Sequence, residues 1–310
     1  MRVLVTGGAG FIGSNLCRRL GTRSGVDAVV ALDDLSSGYR ENLAGTDAEL
    51  VEGSILDEDA LRRAAADADA IVHLAARPSV PRSIADPVAS HLANATGTVA
   101  VLEAARATGA YVVVASSSSV YGSNPTLPKH EGLATRPLSP YAASKLATEA
   151  YTNAYLHSFG MDTLAFRFFN VFGPYQPAGH AYAAVVPAFV DAALAGRPLT
   201  IYGDGTQSRD FTFVDTVTAV IADAVARRVA DPEPVNLAFG SRTDLLSLIE
   251  LIEQQLGHPV EREHQSVRTG DVPHSQADST RLQSLFSGVQ PTPLVEGLRA
   301  TIDWMRAQQG

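Results

Sequence analysis

The chain has 310 residues, 45% hydrophobic and 18% charged, with 25 Gly and 17 Pro, a globular composition rather than a disordered, collagenous or coiled-coil one. Its formal net charge of -9 has no basic run set against it, so neither nucleic acid nor an anionic membrane is an expected partner. Cys17 is the single cysteine and allows no internal disulfide; with no apolar run near the ~18 residues of a spanning helix and no signal-peptide pattern, the expected location is the cytoplasm.

Apolar, β-branched runs at 3–6, 28–32, 70–74, 111–115 and 163–168 predict short strands buried on both faces. Between them, patterns at 12–20, 59–66, 88–106 and 141–158 predict helices, the third opening after Asp86-Pro87. Such alternation predicts βαβ units and a doubly wound α/β fold with a parallel sheet. From about residue 170, Gly173-Pro174, Gly196-Arg197-Pro198, Gly203-Asp204-Gly205 and Pro291-Thr292-Pro293 break the chain into shorter pieces. This divides it into a lobe over 1–170 and a smaller, more irregular lobe over 171–310. Within the second, 210–216 and 234–238 read as strands that return to the main sheet. No repeat or low-complexity linker separates the lobes, so one continuous core is expected.

Directly after the first strand comes Gly7-Gly8-Ala9-Gly10-Phe11-Ile12-Gly13, with glycines at a G-x-x-G-x-x-G spacing and a helix pattern behind them. Glycine lets the backbone turn tightly and approach a pyrophosphate, whose charge then sits at the helix N-terminus. A tight strand-to-helix turn would produce the same triplet. The second strand, however, ends in Leu32-Asp33-Asp34, where a carboxylate can accept from a ribose 2′-hydroxyl and repel a 2′-phosphate. NAD is therefore expected rather than NADP.

The strand at 111–115 runs into Ser116-Ser117-Ser118-Ser119-Val120-Tyr121-Gly122, and a helix opens with Ser139-Pro140-Tyr141-Ala142-Ala143-Ser144-Lys145. Positions i and i+4 share a helix face, so Tyr141 and Lys145, one of only two lysines, can point into one cleft. A neighbouring ammonium favours phenolate and turns a tyrosine into a usable base. Ser117, at the C-terminal end of a parallel strand where ligands of open α/β sheets bind, can bond both a substrate oxygen and the tyrosine.

In this order and spacing the motifs resemble the extended short-chain dehydrogenase/reductase family, and within it the UDP-sugar 4-epimerases. The resemblance covers nearly the whole chain. It adds His73-Leu74-Ala75-Ala76, Asn94-Ala95-Thr96-Gly97-Thr98, Arg167-Phe168-Phe169-Asn170-Val171-Phe172-Gly173-Pro174, Arg209-Asp210-Phe211 and Gly270-Asp271-Val272 to the segments above. It implies a Rossmann-type domain over 1–170 holding NAD and a lobe over 171–310 mainly holding a UDP-sugar. The implied NAD contacts are Gly7, Gly10, Phe11, Ile12, Gly13, Asp33, Asp34, Ser54, Ile55, Leu74, Ala75, Ala76, Asn94, Tyr141 and Lys145. The implied substrate contacts are Ser79, Ser117, Ser118, Ser119, Tyr141, Asn170, Gln176, Arg209, Arg268, Asp271 and Ser275, with the two arginines on the diphosphate. By the same analogy Tyr141 takes the proton of the sugar 4-hydroxyl while C4 gives hydride to NAD, Ser117 assists, and Lys145 binds the nicotinamide ribose. The 4-keto sugar turns over and takes hydride back on its other face.

The resemblance also places a small residue, Ser275, where glucose-restricted members carry a tyrosine, which implies acceptance of UDP-N-acetylhexosamines. UDP-glucuronate is the alternative substrate. Sugar-nucleotide dehydratases and decarboxylases of this scaffold carry acidic residues where Ser118 and Ser119 stand, so those lyase reactions rank below epimerisation. Ser54 stands where the family usually has an aspartate, and Tyr175-Gln176-Pro177 lacks the arginines often found there. The helices at 88–106 and 141–158 resemble the pair that builds a homodimer interface in this family.

Overall fold

A computed structural model describes residues 1–178, 183–266 and 273–309. The first lobe runs β1 (Arg2–Thr6), α1 (Phe11–Gly21), β2 (Ala28–Asp33), β3 (Glu49–Glu52), α2 (Glu58–Ala65), β4 (Ala70–His73), α3 (Val80–Ala85), α4 (Pro87–His91), α5 (Gly97–Thr108), β5 (Tyr111–Ser117), α6 (Pro140–Phe159) and β6 (Thr163–Phe168). Then come β7 (Asn170–Phe172), α7 (Val185–Leu194), β8 (Leu199–Tyr202), β9 (Ser208–Arg209), β10 (Phe211–Phe213) and α8 (Val214–Arg227). The chain ends with β11 (Val235–Leu237), β12 (Thr243–Asp244), α9 (Leu245–Leu256), β13 (Arg262–Gln265), α10 (Thr280–Leu285) and α11 (Leu294–Gln309).

Seven strands form the main sheet in the order β3-β2-β1-β4-β5-β6-β11, every neighbouring pair parallel. In β1, Val3 and Val5 face a cluster completed by Leu16 and Leu20 of α1 and Val217 and Ile221 of α8. Leu4 faces the opposite cluster, with Leu61 of α2, Leu102 of α5 and Tyr155 of α6. Both faces being covered, the strands read as continuous apolar runs without alternation. The chain builds β1 to β3 in one direction and then crosses back to place β4 on the other side of β1. A crevice therefore opens at the C-terminal ends of β1 and β4, where Thr6 pairs with His73.

The structure departs from the sequence expectations at four places. Strand β3 is absent from the predicted set because Glu49-Leu50-Val51-Glu52 is a sheet edge with exposed acidic ends. The helix expected over 88–106 is broken by a π turn at Leu92–Thr96. There the Asn94 carbonyl accepts from the Thr98 and Thr148 hydroxyls at 2.5 and 3.3 Å.

The segment 210–216 is a three-residue strand followed by α8, and β10 pairs with β7 outside the main sheet. From Val214 onward the apolar residues Val217, Val220, Ile221, Ala224 and Val225 fall at helical spacing and cover the sheet beside α1. The other segment, 234–238, does return, as β11 beside β6. Finally, the second lobe has its own apolar cluster, from Phe189 and Val190 of α7, Leu199 and Ile201 of β8, Leu248 and Ile252 of α9 and Leu298 of α11. The core is thus divided, and a cavity lies at the division.

Candidate active site

A cavity of about 1140 Å³ runs along the C-terminal ends of the strands and is walled on its far side by the second lobe. At one end lies the glycine loop. Gly7 has φ +70°, and a Cβ there would lie 2.8 Å from the Ala75 amide nitrogen. Gly10 N-caps α1 without a side-chain cap, and no acidic residue occupies the first turn. The first-turn N–H groups, which have no helical acceptor, therefore leave a positive helix end beside the cavity at Phe11 and Ile12. That cradle suits a diphosphate. Asp33 accepts from the Ala9 and Leu35 amides, each at 2.9 Å, and burial pushes its carboxyl above the usual range against those bonds. Asp33 lines the cavity with Asp34, Ser54, Ile55, Leu74, Ala75 and Ala76. The residues present fit a dinucleotide.

At the centre stand Ser117, Tyr141 and Lys145, all lining the cavity. Ser139 N-caps α6 by accepting from the Ala142 amide at 3.1 Å, with Pro140 at the first helical position. This fixes Tyr141 in the first turn, and Lys145 follows one turn later. Tyr141 and Ser117 stand near each other in the cavity wall, and Ser117 Oγ accepts from the Ser119 amide at 3.2 Å. The expected lowering of the phenol by Lys145 does not occur in this state. Burial pushes Tyr141 above its usual value and the Ser117 hydroxyl opposes it, while Lys145 Nζ donates to the Ala115 carbonyl at 2.8 Å. Burial brings Lys145 itself down to about 8, with Glu149 working the other way.

Towards the second lobe the wall carries Ser79, Asn170, Gln176 and Arg209. Ser79 has φ +99° and N-caps α3 by accepting from the Arg82 amide. Gln176 Nε2 donates to the Val171 carbonyl at 3.2 Å, and its Oε1 is buried with no partner. Arg209 Nη1 donates to the Ser208 and Pro273 carbonyls at 2.9 and 3.1 Å. Behind it the buried Asp210 carboxylate accepts from the Gly240 and Ala277 amides and the Ser241 hydroxyl, which ties three loops of this lobe together.

Four sequence-predicted residues are not among those lining the cavity. Asn94 is buried behind the wall, accepting from the Arg77 amide at 2.7 Å and donating to Ser144 at 2.9 Å, so it shapes the Arg77 loop. Ser118 and Ser119 are carried away from the strand axis by a single 3-10 turn. Ser275 donates its amide to the Ser208 carbonyl at 3.0 Å, which sets it alongside β9. Arg268 and Asp271 lie outside the described residues. The sequence reading gives no site role to Arg77 and Arg82, which line the cavity, or to Glu149 and Arg167, a buried ion pair beneath it. Glu149 follows Lys145 at the same spacing of four that joins Lys145 to Tyr141, which is the signal that could have found it.

The profile of the NAD dependent epimerase/dehydratase family matches residues 3–238. The chain belongs to that family. It is an NAD-dependent enzyme. It is 40% identical to a UDP-glucose 4-epimerase of Mycolicibacterium smegmatis over 99% of both chains. Identity to a probable UDP-glucuronate 4-epimerase of Rhizobium meliloti is 33%, over 98% of this chain and 96% of the relative. Its structure is similar, with TM-score 0.93 and 35% identity, to a UDP-N-acetylglucosamine 4-epimerase of Methanobrevibacter ruminantium in complex with UDP-N-acetylmuramic acid, over 99% of this chain and 98% of that one. Among the described residues no helix is long and apolar enough to cross a membrane, and no cluster of metal-ligating side chains is present.

Proposed function

We propose that this family member inverts C4 of a UDP-hexose, with UDP-N-acetylglucosamine and UDP-N-acetylgalactosamine as its main pair and UDP-glucose and UDP-galactose also accepted. The observation that carries the reading is the shared cavity: the Gly7–Gly13 cradle at one end, Tyr141, Ser117 and Lys145 together at the centre, and Asn170, Gln176 and Arg209 on the opposite lobe. Bound NAD would supply the hydride acceptor and donor for C4. The first-turn amides of α1 would hold its diphosphate, with Asp33 on the adenosine ribose and Lys145 beside the nicotinamide ribose. As its phenolate, which the positive nicotinamide of bound NAD would favour against the burial that raises Tyr141, Tyr141 takes the proton of the 4-hydroxyl at Oη and later returns it to the 4-keto oxygen, so the tyrosine ends each turnover as it began. Ser117 holds the same oxygen through its hydroxyl, and Arg209 pairs with the substrate diphosphate. Gln176 Oε1, buried and unpartnered, offers an acceptor to an amide N–H, which supports a 2-acetamido sugar.

UDP-glucuronate is a second reading. Arg82 lines the cavity and forms no ion pair among the described residues, so it is a cation to which a sugar carboxylate can pair. Incubation of the purified protein with each of UDP-GlcNAc, UDP-Glc and UDP-GlcA, read by proton NMR for C4 inversion, separates the readings. Inversion of UDP-GlcNAc supports the first; inversion of UDP-GlcA alone supports the second; no inversion with any of them in the presence of NAD overturns both.

A homodimer belongs to the same proposal. Val88 on α4, Leu92 directly after it, and Tyr151 and Phe159 on α6 are exposed large apolar residues whose burial against a second copy would be favourable. Sedimentation of the protein as a monomer at micromolar concentration would refute it. A cytoplasmic location completes the proposal, supported by a free, buried Cys17.

A further inference from the structure

Beneath the catalytic residues lies a polar cluster that no step of the proposed reaction uses. Arg167 of β6 grips the Glu149 carboxylate with two parallel bonds, Nε to Oε1 at 2.9 Å and Nη2 to Oε2 at 2.8 Å. Its guanidinium lies 4.7 Å from the centroid of the Tyr121 ring, and Nη1 donates to the Glu131 carbonyl at 3.3 Å. Ser116 Oγ donates to Glu149 Oε1 at 2.5 Å. Ser116, Lys145, Glu149 and Arg167 are all buried.

Burying an ion pair is unfavourable unless something else is gained, and the position of this one indicates what. Ser116 directly precedes Ser117 on β5, and Glu149 sits one helical turn beyond Lys145 on α6. One carboxylate thus ties the catalytic strand end to the catalytic helix. We propose that Glu149, pinned by Arg167, is a positioning residue for the proposed epimerase reaction: through Ser116 it sets Ser117 against Tyr141, and it provides the negative charge behind the Lys145 ammonium.

The inference rests on the C4-epimerase reading for what the catalytic residues do. Charged and titratable groups face α6 from each element packed against it. On α6 itself are Tyr141 and Glu149; β4 contributes His73, β6 Arg167, and the turn after β5 Tyr121. Arg82 of α3 and His91 of α4 lie on neighbouring elements, and Glu103 and Arg106 of α5 meet α6 at its far end near Tyr155. Glu149 is the one carboxylate that raises Lys145, against burial, and the Lys145 charge in turn helps to lower His73.

The chain has only two lysines, Lys129 and Lys145, so the side-chain nitrogen of Lys145 can be followed directly. In protein labelled with 15N at lysine Nζ, with Lys129→Arg assigning the signals, Glu149→Gln is expected to lower the Lys145 titration midpoint by about one pH unit. In the UDP-sugar assay the same variant should lose about tenfold in kcat with KM little changed, and the alkaline limb of kcat should move to lower pH. Should Glu149→Gln fail to fold, Glu149→Gln/Arg167→Met removes the guanidinium that Glu149→Gln would leave unpaired and should show a smaller shift of the same sign. An unmoved Lys145 midpoint overturns the inference, whatever happens to kcat, because a merely structural glutamate would not change that titration. The midpoint is read without substrate. A moved midpoint in a protein that inverts no UDP-sugar therefore keeps the charge pairing and removes the epimerase reading instead.

Discussion

Replacing Gly13 by alanine perturbs the cofactor cradle at a point where its geometry is tightest. A Cβ there would lie 2.0 Å from the Gly7 carbonyl oxygen and 2.8 Å from both the Gly7 carbonyl carbon and Gly8 Cα. Real Cβ atoms essentially never come within 3.0 Å of such neighbours, so α1 would have to withdraw from the loop by about 1 Å. All three opposing atoms are backbone, and no side-chain rotation can relieve the overlap. Overpacking of this kind costs about 1–3 kcal/mol of stability. Withdrawal also carries the first-turn N–H groups away from the loop that faces them across the cradle, and a loss of roughly 1.4 kcal/mol there lowers NAD affinity about tenfold. The assay is titration calorimetry of NAD alongside a melting curve. Gly21→Ala serves as the control, because an added Cβ at the other end of the same helix meets nothing within 4 Å. It should leave NAD affinity unchanged and stabilise the helix by up to about 1 kcal/mol. Wild-type NAD affinity and melting temperature in Gly13→Ala would refute the reasoning.

Tyr141→Phe should reduce kcat by roughly 10²–10⁴ with UDP-sugar affinity retained; activity within tenfold of wild type would remove Tyr141 from the proton transfer. Ser117→Ala loses one hydrogen bond to the reacting oxygen and should cost about ten- to a hundredfold in kcat, roughly 1.4–2.8 kcal/mol, visible in the same steady-state assay. Burial, with a contribution from the Lys145 charge, lowers His73 from 6.5 to about 3. The folded protein thus binds fewer protons here than the unfolded chain, so this part of its stability is present above pH 6.5 and is lost as pH falls towards 3. Urea unfolding should show a loss on the order of 2 kcal/mol through this group between pH 6.5 and pH 5, and His73→Gln should flatten that slope; an identical slope in the variant counts against it. Asp210→Ala should lower the melting temperature and weaken UDP binding together, since three donors lose one buried acceptor. Weakened stability with unaltered UDP affinity would separate Asp210 from the Arg209 wall.

Local pattern carried much of the architecture. Apolar runs long enough for one strand, glycines at the first turn, and a Ser139-Pro140 helix start are short-range signals, and they located β1, β2, β4, β5, β6, α1 and α6 to within a residue or two. The Gly7–Gly13 loop, Ser117, Tyr141 and Lys145 were legible for the same reason: each is marked by its neighbours in the chain, and parallel topology brings strand ends to one side. Segments whose form depends on distant partners were not. Asp210-Phe211-Thr212-Phe213-Val214-Asp215-Thr216 has the composition of a strand, yet the sheet beside α1 needed a helix and took one from Val214 onward. At the π turn over Leu92–Thr96 the Asn94 carbonyl accepts from Thr148, fifty-four residues away, a partner no local pattern announces.

The site divides along the same line. The sequence by itself determined which groups could do chemistry; only the tertiary structure decided which of them meet and in what state of charge. Tyr141 and Lys145 share a helix face as their spacing requires, but burial by the surrounding elements pushes the tyrosine up and the lysine down, the latter against Glu149. Asn94 and Ser275 have suitable side chains and lie behind the cavity wall or along β9 instead. Glu149 and Arg167 are eighteen residues apart, and nothing between them announces an ion pair. Their pairing follows from β5, β6 and α6 packing into one layer pair, where a charge removed from water must find its counter-charge.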